Sequence, residues 1–186
     1  PSKNLGCFGD GGAIFTNNDE LAKKIRMIAH HGQSVQYVHE VLGVNSRLDS
    51  IQAAILKIKL KHLDEYALSR NKVAEFYDKA FSNHSKIKIP SRSKNSTHVF
   101  HQYTLQIIGY DRTELREKLT EHGIPAMIYY PIPLHKQNAY KNERFKTNDF
   151  PITQKLCDTV LSLPMHTELD EETLNYITNT LLTIIK

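Results

Sequence analysis

The chain is 186 residues long, room for one ordinary domain or for the end of one and the start of another, and its 40% hydrophobic and 24% charged residues exclude a disordered or low-complexity sequence. The formal charge of +4 is scattered, and its densest group, Lys57, Lys59 and Lys61, alternates with Ile58 and Leu60 as a solvated helix face does; this argues against nucleic acid and is equally suited to a small diphosphate. Two distant cysteines, Cys7 and Cys157, without a CxxC exclude a disulfide framework and a zinc knuckle and fit a reducing cytosol, and no apolar run reaches the ~20 residues that cross a bilayer.

The opening Pro-Ser-Lys-Asn has no initiator methionine and no signal-peptide character, and reads as the middle of a folded domain. Gly11-Gly12 followed by Ala13-Ile14-Phe15-Thr16 predicts a turn and a strand. Asn17 to Glu20 supply capping residues, and Leu21, Ile25 and Ile28 place one apolar face on a helix from about Asp19 to Ala29. Gln33 to Asn45 is polar and aromatic with little period, an irregular excursion of the kind that carries function. A long helix is then expected from about Ser46 to Phe81, with Leu48, Ile51, Ile55, Ile58, Leu63, Tyr66, Val73 and Phe76 mostly three or four apart.

Ser82 to Ser96, rich in Ser, Lys and Asn with Pro90, reads as a linker or surface loop. Val99 to Ile108 predicts a strand, Thr113 to His122 a helix stopped by Gly123, and Ala126 to Tyr130 a second strand ended by Pro131. Ile152 to Leu161 and Glu171 to Ile185 predict two further helices around Ser162-Leu163-Pro164-Met165-His166. The order strand-helix-strand-helix is that of a small α/β domain.

The most specific stretch is Pro1-Ser2-Lys3-Asn4-Leu5-Gly6-Cys7-Phe8-Gly9-Asp10-Gly11-Gly12-Ala13, which resembles the DegT/DnrJ/EryC1/StrS family of sugar aminotransferases. The resemblance continues through His31-Gly32-Gln33, Tyr37, His39, Gly43 to Leu48, Gln52-Ala53-Ala54, Tyr130 to His135 and Ser162 to His166, nearly the whole chain. It implies that Lys3 forms a Schiff base with pyridoxal 5'-phosphate and is the catalytic residue. A lysine in that role must lose its proton, against an ordinary pKa of about 10.4, so burial or a neighbouring cation must favour the neutral amine. Gly9 to Gly12 alone matches neither a P-loop nor a dinucleotide fingerprint, and Cys7 has no identifiable His and Asn partners.

Asn45 and Arg47 precede or begin the long helix, where free N–H groups favour an anion; a capping Asn and a surface Arg are the competing reading. The resemblance implies that Asn45 reaches across a homodimer interface to the partner's cofactor phosphate, with Arg47 close to the substrate and Tyr37 and His39 on the same run. Tyr129, Tyr130 and His135 flank a Pro-Ile-Pro turn and present three polar rings; the resemblance implies that they line a hexose pocket, with a structural Tyr-Pro corner as the rival reading. Many relatives carry His where this chain has Tyr129. No HExxH or comparable spacing suggests a metal.

The fold so implied is α/β, the type I, aspartate aminotransferase-like fold of pyridoxal-phosphate-dependent transferases. Residues 1–62 would complete the large cofactor-binding domain, 63–186 would form the small C-terminal domain, and the helix at about 46–81 would bridge them. The activity implied is transamination of a nucleotide-linked keto-hexose with glutamate as donor, in the cytoplasm, by a homodimer with shared active sites. In the family's dehydratases the lysine position is typically His, so Lys3 favours transamination. The rival class is a non-catalytic sugar-nucleotide-binding or dimerisation module. A large-domain remnant without its other half is expected to be poorly soluble.

Overall fold

A computed structural model describes residues 3–146 and 148–186, which divide into two units, Pro1–Leu63 and Asp64–Lys186. In the first unit α1 spans Asp19–Ala29, started by the Asn18 side chain, which accepts from the Leu21 N–H, and favoured by Asp19 and Glu20 at the positive end of its dipole. Strands β1 (Gln33–Val35) and β2 (Val38–His39) form a small antiparallel hairpin where the sequence predicted an irregular excursion. The expected strand at Ala13 to Thr16 has no ladder partner among the described residues, and a strand exists only by pairing.

The long helix expected from about Ser46 to Phe81 is two helices. Asp49 caps α2 (Ser50–Lys59) by accepting from the Gln52 N–H at 2.9 Å, which moves the start downstream of Ser46. A 3-10 turn, Leu60–His62, then tightens the backbone before α3 (Leu63–Phe81). Among the described residues of the first unit only Gly6 and Gly32 are buried, while Phe15 is 91% and Leu42 98% exposed. That unit therefore has no apolar core of its own.

The second unit contains the core. Strands β3 (Ile87–Lys88), β4 (Tyr103–Ile107) and β5 (Val160–Leu163) form an antiparallel sheet in that order, with Leu105 opposite Leu161. Around it lie α3, α4 (Arg112–Glu121), α5 (Pro151–Thr159) and α6 (Glu171–Ile184), with Asp111 and Asp170 as the caps of α4 and α6. Along β4 the residues Tyr103, Leu105 and Ile107 are buried and Thr104 and Gln106 are half-buried, so one face of the strand meets the core. Tyr77 and Phe81 from α3, Leu115 and Leu119 from α4, and Ile177 and Leu181 from α6 complete that cluster. β3 lies inside the predicted surface loop, β5 replaces the predicted end of the helix at Leu161, and the predicted strand at Ala126 to Tyr130 is reduced to a single bridge from Met127 to Ser162.

Polar contacts fix the loops to α3. Arg70 donates through Nη1 to the carbonyls of Phe100, His101 and Met165 at 3.0, 3.3 and 3.1 Å, and Tyr77 donates to the carbonyl of Pro164 at 2.9 Å. Tyr103 donates to Asp78 at 2.6 Å, and Arg92 pairs with the same carboxylate while lying over the Phe100 ring. Burial first, then the bond to Asp78, pushes the Tyr103 phenol far above its ordinary pKa, so it remains a donor at physiological pH. No helix among the described residues is long and apolar enough to cross a membrane.

With its core in one unit, Asp64–Lys186 expressed alone is expected to unfold in one cooperative urea transition followed by circular dichroism, and 3–63 alone to show none. Leu105→Ala, at a fully buried central position, should lower the stability of the former by about 2–5 kcal/mol.

Candidate active site

The lysine segment is anchored by its glycines and by one side chain of α2. Lys3 is exposed and leads through a turn at Asn4 and Leu5 to the buried Gly6; Pro1 and Ser2 of the same run lie outside the described residues. Cys7 donates its thiol to the Gly9 carbonyl at 3.3 Å. The Phe8 N–H donates to Gln52 Oε1 at 2.8 Å, and a Cβ on Gly9 would stand 3.1 Å from the same amide group, so glycine allows the turn to approach α2 this closely. Gln52 holds the third position of a helix capped by Asp49, where a glutamine ordinarily reaches back to the cap's own N–H; here it reaches a segment 44 residues away. In the sequence Gln52 lies within the matching run, with no role implied for it.

The hairpin segment is sewn to the C-terminus of α1. The carbonyls of Met27, Ile28 and Ala29 accept from the N–H groups of Gly32 (2.8 Å), Val44 (2.8 Å) and Ser46 (2.9 Å), which satisfies the acceptors that a helix leaves open at this end. Asn45 pairs with His30 in an isolated bridge. It therefore stands beside the negative end of α1 and upstream of the α2 start, and the helix-terminus argument for an anion at Asn45 does not hold. What remains is side-chain chemistry. Arg47 Nε donates to Asn45 Oδ1 at 2.9 Å, which turns the Asn45 Nδ2 group outward as a donor beside a guanidinium.

His39 Nδ1 lies 2.8 Å from the His31 carbonyl, which can only accept, so Nδ1 carries the proton of the neutral ring and Nε2 accepts from Gln33 Nε2 at 3.4 Å. Tyr37 holds a positive φ of 68° at the hairpin tip and is exposed. Tyr37, His39, Asn45 and Arg47 thus share one loop system in the first unit.

Tyr129, Tyr130 and His135 belong to the second unit. The two tyrosine rings are 5.7 Å apart at 71°, joined through a cis peptide bond, and both are exposed. His135 sits in a 3-10 turn, Leu134–Lys136, with its ring 4.8 Å from that of Phe150 and its Nε2 buried without a hydrogen-bond partner among the described residues. It lines two cavities of about 490 and 590 Å3, whereas a larger cavity of about 880 Å3 along α3 and α6 includes none of the candidate site residues. Arg70 and Tyr77 hold the Pro164-Met165 part of the Ser162 to His166 run. Among the described residues no group of three or more His, Cys, Asp or Glu is placed to hold a metal.

This architecture is that of the type I, aspartate aminotransferase-like transferases. The crystal structure of S. venezuelae DesV in complex with a ketimine intermediate matches with a TM-score of 0.94 at 35% identity, over 100% of this chain and 49% of that one. The model of the DegT/DnrJ/EryC1/StrS aminotransferase family matches residues 1–182, and the chain belongs to that family. It is 46% identical over 177 residues to the UDP-2-acetamido-2-deoxy-3-oxo-D-glucuronate aminotransferase of Pseudomonas aeruginosa, covering 95% of this chain and 48% of that protein. It is 45% identical over 179 residues to a protein of Geobacillus stearothermophilus named a pleiotropic regulatory protein, again covering 95% and 48%. The chain spans about half the length of the curated relatives it matches.

Removing the Gln52 acceptor should loosen the lysine segment. In the full-length protein, Gln52→Leu is expected to speed amide hydrogen exchange at Phe8 by roughly 2- to 10-fold, the equivalent of one net hydrogen bond, and Gln52→Glu, which keeps an acceptor, to leave it near the wild-type rate.

Proposed function

We propose that this chain is the C-terminal half of an aminotransferase that replaces the keto oxygen of a nucleotide-linked hexose by an amine, with glutamate as donor and pyridoxal 5'-phosphate as cofactor. The observation that carries the reading is the lysine-bearing turn, held on α2 by the Phe8 to Gln52 bond, in a chain of this family. The donor set suits the cofactor: a primary amine at Lys3 for its aldehyde, and at Asn45 and Arg47 an outward amide and a guanidinium, both donors, for phosphate and anionic substrate groups. When bound, the cofactor supplies the electron sink for carbanion chemistry.

In this reading Lys3 Nζ would hold the cofactor covalently and, as a free amine, would move a proton to and from the substrate carbon. Asn45 Nδ2 would donate to the cofactor phosphate of a second copy in a homodimer, and Arg47, with Tyr37 and His39 on the same loop system, would face the substrate. Tyr129 and Tyr130 take the hexose hydroxyls, and His135 lines the same pocket at the end where the nucleotide joins the sugar. Residues 1–62 complete a large domain whose remainder lies in sequence outside this chain, and 63–186 form the small domain. A UDP-linked 3-keto hexose or its uronic acid is the favoured substrate, given the Pseudomonas relative. The name of the Geobacillus relative favours one rival, a regulatory protein that binds a sugar nucleotide without turning it over.

Two measurements on the full-length protein test this. Lys3→Ala should abolish the visible absorption of the covalently held cofactor and lower turnover by on the order of 10²- to 10⁴-fold or more; an unchanged band sinks the assignment. Offered a panel of keto sugar nucleotides with glutamate, the wild type should yield a product in which mass spectrometry finds an amine in place of oxygen, and binding without conversion across the panel supports the regulatory reading.

A further inference from the structure

The two cavities around His135 differ in chemistry. That of about 490 Å3 is walled by Lys136, Lys141 and Lys146 against a single carboxylate, Glu143. The neighbouring one of about 590 Å3 is walled by Tyr140, Phe145 and Phe150 with Leu134 and Ala139. Both include His135, Lys141, Asn142 and Phe145, so a ligand that filled them would pass from a cationic chamber to an aromatic one within its own length. Their volumes fall in the range of about 300–1,000 Å3 typical of small-ligand sites.

Three features single this place out from an ordinary run of surface lysines. The His135 ring packs against Phe150, which in turn meets Phe145 with ring centroids 5.6 Å apart, and the buried His135 Nε2 has no partner among the described residues. A buried ring nitrogen left this way is unfavourable, and an oxyanion within reach would accept from it. Lys136 is tethered through Nζ to Gln154, whose amide donates to Asp158 at 3.0 and 3.1 Å, so its charge is positioned from α5. The Lys141 and Lys146 ammonium groups form no ion pair among the described residues, although the Lys146 main-chain N–H donates to Asp149 at 2.8 Å, and the Arg144 guanidinium lies 4.9 Å above the Phe145 ring.

We propose that His135, Lys136, Lys141 and Lys146 bind the diphosphate of a nucleoside diphosphate, and that Tyr140 and Phe145 receive its base. Diphosphate oxygens accept from the lysines and from His135 Nε2–H, and a nucleobase stacks on an aromatic wall irrespective of its identity. An amino-acid donor has carboxylates for the cationic chamber but no ring for the aromatic one, so the pair of chambers favours the nucleotide. The assignment rests on the substrate being nucleotide-linked, as proposed above, and places the nucleotide end on the same segment as the Tyr129-Tyr130 pair.

The test is calorimetric titration of UDP into the full-length, cofactor-loaded protein, without keto sugar or donor. Wild type should bind UDP, with inorganic pyrophosphate as a competitor. The Lys141→Ala/Lys146→Ala double variant, with an unchanged circular dichroism spectrum, should bind UDP at least about tenfold more weakly and lose the competition by pyrophosphate, and the Lys141→Arg/Lys146→Arg pair should restore both. Tyr140→Ala should weaken uridine and spare pyrophosphate. Equal UDP affinity in wild type and the double alanine variant overturns the proposal. Binding and turnover separate the two readings: lysine-dependent UDP binding without transamination refutes the catalytic reading alone, and normal transamination with lysine-independent UDP binding refutes this one alone.

Discussion

The first unit depends on a backbone approach that only glycine allows. Gly32 adopts φ +77°, and a Cβ there would lie 1.8 Å from the Val41 carbonyl oxygen; a Cβ on Gly43 would lie 2.1 Å from the Gly32 nitrogen. This contact lets the segment at 43–46 reach the open carbonyls of α1, and the hairpin that carries Tyr37 and His39 is the loop closed between the two glycines. Asn45 lies within that seam and Arg47 directly follows it. In a unit with no apolar core, position is set by main-chain hydrogen bonds, and the two glycines are the condition for those bonds.

The second unit works the other way. Its strands and helices meet in one buried cluster, and several polar groups fix its connections and join α3 to the sheet. Arg70 collects three carbonyls, and desolvation lowers its pKa without removing the charge, since a guanidinium titrates far above physiological pH. Asp78 gathers Tyr103 and Arg92. The candidate sugar- and nucleotide-facing residues lie on a long connection whose short 3-10 turns are not themselves part of that cluster, so they depend on the sheet for support while remaining accessible.

What the sequence disclosed followed from local chemistry. The helices at α1, α4 and α6 were readable because Asn18, Asp111 and Asp170 cap them and apolar residues recur on one face. The continuous helix across α2 and α3 was misread because the apolar spacing from Ile55 to Tyr66 passes undisturbed through the Leu60–His62 turn; a one-turn tightening leaves little mark on residue spacing. β5 escaped notice because all four of its residues are buried, which removes the alternation by which a strand is recognised. Of the site, Lys3 and the run from His31 to Arg47 were visible as a motif. The Phe8 to Gln52 bond was not, since nothing local relates positions so far apart, and the chambers at His135 arise from packing of a segment whose period is neither helical nor extended.

The sheet of the second unit offers its margins sparingly. β3, on one side, is only two residues long; on the other, Ser162 exchanges both main-chain bonds with Met127, and Arg112 occupies the Val160 carbonyl. An unpaired margin is the template on which foreign strands assemble, and here both are blunted. Among the described residues the second unit thus leaves a neighbouring polypeptide little ladder to extend, and association begins more readily at the bare apolar residues of the first.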